Sequence, residues 1–94
     1  MSKKVMVIIN PNAGEEKAID YKEQLKKKLS EDYSSVEIRE TRGEGDAQNW
    51  AEEASKNAFG LVVAVGGDGT VNETINGMAK VEDSPLLGIV PMGQ

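Results

Sequence analysis

The chain has 94 residues, 38% of them hydrophobic and 29% charged, which suits one small globular domain with its own core and not two. A formal net charge of −5 excludes a general attraction to nucleic acid or anionic lipid, so phosphate binding must be local, through backbone N–H groups or single side chains. The absence of Cys and His removes disulfides, thiol nucleophiles, thiolate metal sites and the commonest general base.

In chain order, "KVMVIIN" is a nearly continuous β-branched run, the pattern of a strand buried on both faces of a parallel sheet. Its apolar part, Val5 to Ile9, is too short for a signal peptide and is halted by the turn residues "NPNAG". No segment approaches the ~20 apolar residues of a membrane span, and the cytoplasm is the expected compartment. From about Glu15 to Ser30 the spacing predicts a helix, with Ala18, Tyr21 or Lys22, Leu25 and Leu29 on one face. "SSVEIRET" alternates as a strand with Val36 and Ile38 inward. After the loop "RGEGD", Asp46 can N-cap a helix from Ala47 to about Asn57, with Ala47, Trp50, Ala51 and Ala54 on one side. "FGLVVAV" is the most strongly buried strand candidate. "GGDG" ends it, a helix follows from Val71 to about Lys80, "VEDSP" is a loop and "LLGIVP" a fourth strand.

Alternating strands and helices imply an α/β fold, an open parallel sheet of about four strands with flanking helices and right-handed crossovers. The chain stops at "PMGQ", where the next loop would begin, which leads us to expect a longer protein. An uncovered apolar face around Leu86 to Val90 would favour self-association, for example as a homodimer.

In open α/β sheets, ligands bind outside the carboxyl ends of the strands. All four ends carry suggestive loops: "NPNAG", "ETRGEG", "GGDGT" and "PMGQ". No G-x-x-x-x-G-K-[ST] is present, and Gly67-Asp68-Gly69 only begins a G-x-G-x-x-G, with Asn72 in place of the third glycine. The chemistry of "GGDGT" still suits phosphate. Gly66, Gly67 and Gly69 can take positive φ and leave no Cβ in a ligand's way. The following helix offers unpaired N–H groups and a positive dipole end. Asp68 is poorly placed as a direct phosphate contact and makes sense with Mg²⁺ between it and the oxygens. A plainer reading stands beside this one, since short motifs match by chance: two glycines make a turn, and Thr70 with Glu73 matches the capping box [ST]-x-x-E. Taken singly, "NPNAG" is ordinary turn chemistry, Thr41 a strand residue, Trp50 core packing, and Lys26 to Lys28 a solvated helix face.

Taken together, "NPNAG" after the first strand, Thr41 ending the second and "GGDGTVNE" after the third resemble the N-terminal nucleotide-binding lobe of the diacylglycerol kinase catalytic family, which includes bacterial soluble lipid kinases and sphingosine kinases. The resemblance spans nearly the whole chain. "GGDGT" is shared with NAD kinases and "GGDG" with phosphofructokinases, whose N-terminal lobes this fold resembles; "VNE" and "NPNAG" favour the lipid kinases. The resemblance implies ATP and Mg²⁺ as cofactors. It implies that Asn10, Pro11, Asn12, Ala13 and Gly14 form a nucleotide-contacting turn, and that Thr41 contacts the nucleotide. It also implies that Gly66, Gly67, Asp68, Gly69, Thr70, Val71, Asn72 and Glu73 hold the phosphates and position Mg²⁺, with Asp68 the metal-linked, catalytic acid. The family's fourth loop usually reads P-x-G-T, and Gln94 stands here where Thr is expected. A second, β-rich domain would supply the proton acceptor, further metal-binding acids and the lipid site, with peripheral membrane contact and no nucleic-acid partner. Two alternatives remain: a soluble-substrate kinase of NAD kinase or phosphofructokinase type, and a non-enzymatic α/β interaction fragment.

Overall fold

The computed structural model describes residues 3–14 and 18–92. Strand β1 (Lys4–Ile9) is followed by a 3₁₀ turn (Ala18–Tyr21) and helix α1 (Lys22–Leu29), then β2 (Ser35–Glu40), α2 (Asp46–Lys56), β3 (Leu61–Gly66), α3 (Asp68–Met78) and β4 (Leu86–Pro91). The four strands are parallel in the order β2-β1-β3-β4. The α/β class and the four parallel strands agree with the sequence pattern.

The apolar run of β1 explains the arrangement. Val5, Met6, Val7, Ile8 and Ile9 are all 0% exposed, because successive side chains point to opposite faces and both faces are covered. Val5, Val7 and Ile9 join Val63, Val65 and Ala18 on one face, with Leu25 and Leu29 of α1 packed over them. Met6 and Ile8 join Val62, Ala47, Ala51, Ala54 and Met78 on the other, beneath α2 and α3. Each fully buried Val, Ile or Met contributes ~1.5–3 kcal/mol over its exposed state, so β1 is the largest contiguous stabilising element.

Several boundaries differ from expectation. The first helix is divided: Ala18–Tyr21 forms a 3₁₀ turn before the α-helix begins at Lys22, and residues 15–17 lie outside the described set. Asp46 is not the N-cap of α2. That position is Gly45, with a left-handed φ of 90°. Strand β3 starts at Leu61 rather than Phe59 because Phe59 closes α2. Its N–H bonds the Ala54 carbonyl at 3.0 Å and the Ala58 N–H bonds Ser55 at 3.3 Å. This is a Schellman cap built with Ala58 at a φ of 58° instead of the usual glycine, and Phe59 packs into the same cluster as Ala54.

Trp50 packs against the α2 side of the core, as its spacing implied, and carries the Arg39 guanidinium 5.7 Å from its ring centroid. Arg39 also pairs with Glu37 and, at 2.7 Å, with Glu53, tying edge strand β2 to α2. The hydrogen bond from Arg39 holds the Glu53 carboxyl below its ordinary value. That stabilisation is present above the unfolded carboxylate's pKa and is lost as pH falls through the lowered folded value. The other edge, β4, leaves Leu86 73% and Ile89 48% exposed.

Helices α2 and α3 cross closely at Gly77. A Cβ there would collide with the Gln48 carbonyl oxygen and lie 3.0 Å from the Ala51 Cβ. Gly77→Ala should therefore lower stability by ~1–3 kcal/mol, the scale of an overpacked core, although Ala is intrinsically the better helix former by about 1 kcal/mol. Denaturant unfolding checks the sign; a stabilised variant would mean that the helices separate at little cost.

Candidate functional site

The strand order places a topological switch between β1 and β3: the chain leaves β1 toward β2 on one side and returns to β3 on the other. At such a point the connections diverge and leave a crevice at the carboxyl ends. Backbone bonds draw those ends together. The Asn10 N–H donates to the Val65 carbonyl at 2.9 Å, the Thr41 N–H to Ile9 at 2.8 Å, and the Met92 N–H to Gly66 at 3.0 Å.

A groove of about 790 Å³ opens there. The turn after β1 forms one wall through Asn10, Pro11 and Asn12. Asn10 shapes that turn: its Oδ1 accepts the Asn12 N–H at 3.2 Å and its carbonyl accepts the Ala13 N–H at 3.1 Å. The β2–α2 loop forms a second wall from Thr41 to Glu44, and Gly69, Thr70 and Glu73 of α3 close the third. Of the residues singled out in the sequence, Asn10, Pro11, Asn12, Thr41, Gly69, Thr70 and Glu73 thus meet around one space. Ala13, Gly14, Gly66, Gly67, Asp68, Val71 and Asn72 do not line it, and Gln94 lies outside the described residues. Glu40, Arg42, Gly43 and Glu44 line it without having been singled out; the signal was their position in "ETRGEG", beside Thr41 at a strand's carboxyl end.

Helix α3 begins at Asp68, not Val71, with Gly67 as its cap in an extended conformation (φ −87°, ψ −168°). The first intrahelical bond is Val71 N–H to the Gly67 carbonyl at 3.1 Å, so α3 itself supplies no acceptor for the N–H groups of Asp68, Gly69 and Thr70. The helix dipole adds positive potential at the same place. A Cβ at Gly67 or Gly69 would meet nothing within 4 Å, so no contact within the described residues requires glycine at either position.

Two expectations about this turn are corrected. Positive φ is found at Gly14 and Gly45 among the described glycines, not at Gly66, Gly67 or Gly69. What Gly66 supplies is closeness: a Cβ there would stand 2.8 Å from Thr70 Oγ1, 3.0 Å from Thr70 Cβ and 3.3 Å from Asn10 Cβ. The capping box does not form either. Thr70 lies within the first turn of α3, where its carbonyl accepts Thr74 Oγ1 at 2.8 Å, and Glu73 Oε1 accepts the Gly45 N–H at 3.1 Å. Nor does Asp46 cap α2; its Oδ2 accepts the Arg42 and Gly43 N–H groups at 2.8 and 3.2 Å and folds that loop back on the helix.

The groove is acid-rich. Glu40, Glu44 and Glu73 face one cation, Arg42, and Glu40 is paired with Lys22 at 3.0 Å. Among the described residues, no three or more potential metal ligands gather in one group. Exposed Asp68 at the head of α3 offers a single carboxylate. That donor set fits Mg²⁺ held mainly by phosphate oxygens and water, its usual mode, rather than by a protein cage.

The fold and site define a parallel α/β domain with a glycine-rich strand-to-helix turn at its switch point. The chain belongs to the diacylglycerol kinase catalytic domain family, whose model matches residues 4–94. A Streptococcus pneumoniae protein named only provisionally as a lipid kinase is 52% identical over 91 residues, covering 97% of this chain and 31% of that protein. A diacylglycerol kinase of Bacillus subtilis is 36% identical, covering 97% of this chain and 30% of that protein. A crystal structure of a diacylglycerol kinase from Bacillus anthracis superposes with a TM-score of 0.85 at 34% identity, covering 97% of this chain and 33% of that one. The chain therefore spans about a third of the length of these relatives.

Gly66→Ala should push Thr70 or Asn10 aside and cost ~1–3 kcal/mol, with the Asn10 and Thr70 amide resonances displaced. Unfolding and amide spectra check both. A change below ~0.5 kcal/mol with both resonances unmoved would show that the two walls are not held by this contact.

Proposed function

We propose that this chain is the nucleotide-binding lobe of an ATP-dependent lipid kinase, one that moves the γ-phosphoryl group of ATP to a lipid hydroxyl, with diacylglycerol and phosphatidic acid as substrate and product. The observation that carries the proposal is the groove at the switch point, where Gly69 and Thr70 in the first turn of α3 line a space large enough for a nucleotide, opposite Asn10 to Asn12 and Thr41. Membership of the diacylglycerol kinase family supplies the substrate class.

In this assignment the Asn10–Gly14 turn and Thr41 contact the nucleotide, and the amides of Gly67 to Thr70 hold the phosphates. Backbone N–H groups in a preformed turn stabilise phosphate charge without reorganising during transfer, which is most of what phosphoryl transfer asks of a protein. Asp68 would hold Mg²⁺ through water or directly, and Val71 and Asn72 carry the turn into α3. Bound Mg²⁺ neutralises phosphate charge and favours phosphoryl transfer. The transfer forms a bond between the lipid oxygen and γ-phosphorus and breaks the bond to the β–γ bridging oxygen, and ADP leaves. The hydroxyl proton needs an acceptor. By the family resemblance, that acceptor, the lipid site and the membrane contact belong to a β-rich domain outside this chain. No helix among the described residues is long and apolar enough to cross a membrane.

Titrating the ¹⁵N-labelled chain with Mg-ATP should shift the amides of Asp68, Gly69, Thr70 and Asn12 most, and leave Gly60 at the opposite sheet edge near its starting position. Amides from Gly66 to Thr70 unmoved at millimolar Mg-ATP would defeat the proposal.

In a protein carrying this segment at the length of its relatives, Asp68→Asn should lower turnover roughly 10²-fold, as for loss of one transition-state charge contact. Stability should change by less than about 0.5 kcal/mol because the side chain is exposed. Near-normal lipid phosphorylation by that variant would remove Asp68 from the metal assignment.

A further inference from the structure

Glu73 ends the "GGDGTVNE" run, yet its carboxylate is engaged away from the head of α3. Its Oε1 accepts the N–H of Gly45, 28 positions earlier in the chain, at 3.1 Å. Gly45 is the left-handed cap of α2, and its carbonyl in turn receives the Asn49 N–H at 2.9 Å. Next to it, Asp46 Oδ2 takes the Arg42 and Gly43 amides. Two carboxylates thus consume three backbone donors of the β2–α2 loop and hold it as one wall of the groove.

Glu73 and Gly77 stand four residues apart, on one face of α3. Gly77 meets α2 at Gln48 and Ala51, and Glu73 meets it one turn nearer the groove at Gly45. The α2–α3 pair is therefore fastened at two points, and the second lies three residues from Arg42, the one cation among the groove-lining residues described, whose amide is held by Asp46.

We propose that Glu73 is a positioning residue: by latching Gly45 to α3 it fixes the loop that carries Thr41 and Arg42 into the groove, and it acts through reach rather than charge. The consequence for ATP rests on the nucleotide-binding assignment above; the latch itself does not.

Three substitutions separate reach from charge. Glu73→Gln keeps an oxygen at the same distance and removes the charge. Glu73→Asp keeps the charge and withdraws it by one methylene. Glu73→Ala removes both. In the ligand-free chain, hydrogen exchange at the Gly45 amide should be slow in wild type and Glu73→Gln, and faster in Glu73→Asp and Glu73→Ala. Mg-ATP affinity should follow the same order, near wild type for Gln and about tenfold weaker for Asp and Ala, the scale of one hydrogen bond. Should Glu73→Ala fail to fold, the Gln and Asp variants alone decide. Loss of affinity in Glu73→Gln with retention in Glu73→Asp would overturn the proposal, because a charged contact to phosphate-bound metal would then be the role. A Gly45 amide that exchanges equally in all variants would overturn it too. If wild type binds no Mg-ATP, the nucleotide assignment fails, and the latch is still judged by Gly45 exchange.

Discussion

The complete burial of β1 is the constraint on which the rest of this domain depends. Five consecutive apolar side chains without solvent contact require a neighbour on each edge and a helix layer on each face. Parallel pairing with both β2 and β3 meets the first requirement, and α1 on one side with α2 and α3 on the other meets the second. Parallel strands cannot be joined by tight turns; each return passes through a crossover. All carboxyl ends then fall on one edge, and because β2 and β3 flank β1, the connections part directly above it. The groove is a geometric consequence of burying Val5 to Ile9, before any residue in it is chosen.

What furnishes the groove is close approach rather than unusual backbone. The absence of a side chain at Gly66 lets Thr70 and Asn10 come within van der Waals range of its backbone, and the same absence at Gly77 lets α3 settle on α2. These two glycines set the height and tilt of α3, and so where its unbonded N–H groups lie. The glycines with positive φ are elsewhere, at Gly14 in the first loop and Gly45 at the head of α2. Each groove wall thus has its own glycine, and the physical reason differs from one to the next.

The layered fold was legible in the sequence because period and burial agree there: β-branched runs for β1 and β3, an Ala-Trp-Ala-Ala face for α2, turn residues between them. The loops that line the groove were also legible as a set, since their positions at strand ends follow from the alternation of elements. What was not legible were partnerships that a linear pattern cannot express. Thr70 and Glu73 have the spacing of a capping box, but α3 starts two residues before Thr70, so the cap position passes to Gly67 and Glu73 turns to a helix distant in sequence. Asp46 reads as an N-cap because Asp often is one, yet Gly45 takes that position and frees the carboxylate for loop amides. Phe59 reads as the start of a strand and instead seals a helix end. In each case a local signal was read at its commonest use, and a tertiary contact decided otherwise.

The charge of the groove narrows what it can accept. Three glutamates against one arginine, in a chain of net charge −5, disfavour a bare polyphosphate, since like charges repel more strongly in a partly enclosed space than in bulk water. The attractive elements are fixed dipoles, the head of α3 among them, and these act over about one helical turn. A ligand that carries its own divalent cation has a lower net charge, so this repulsion is smaller. On the nucleotide-binding reading proposed above, this acidic rim weighs against free nucleotide more than against its metal complex, without requiring the protein to build a complete metal site of its own.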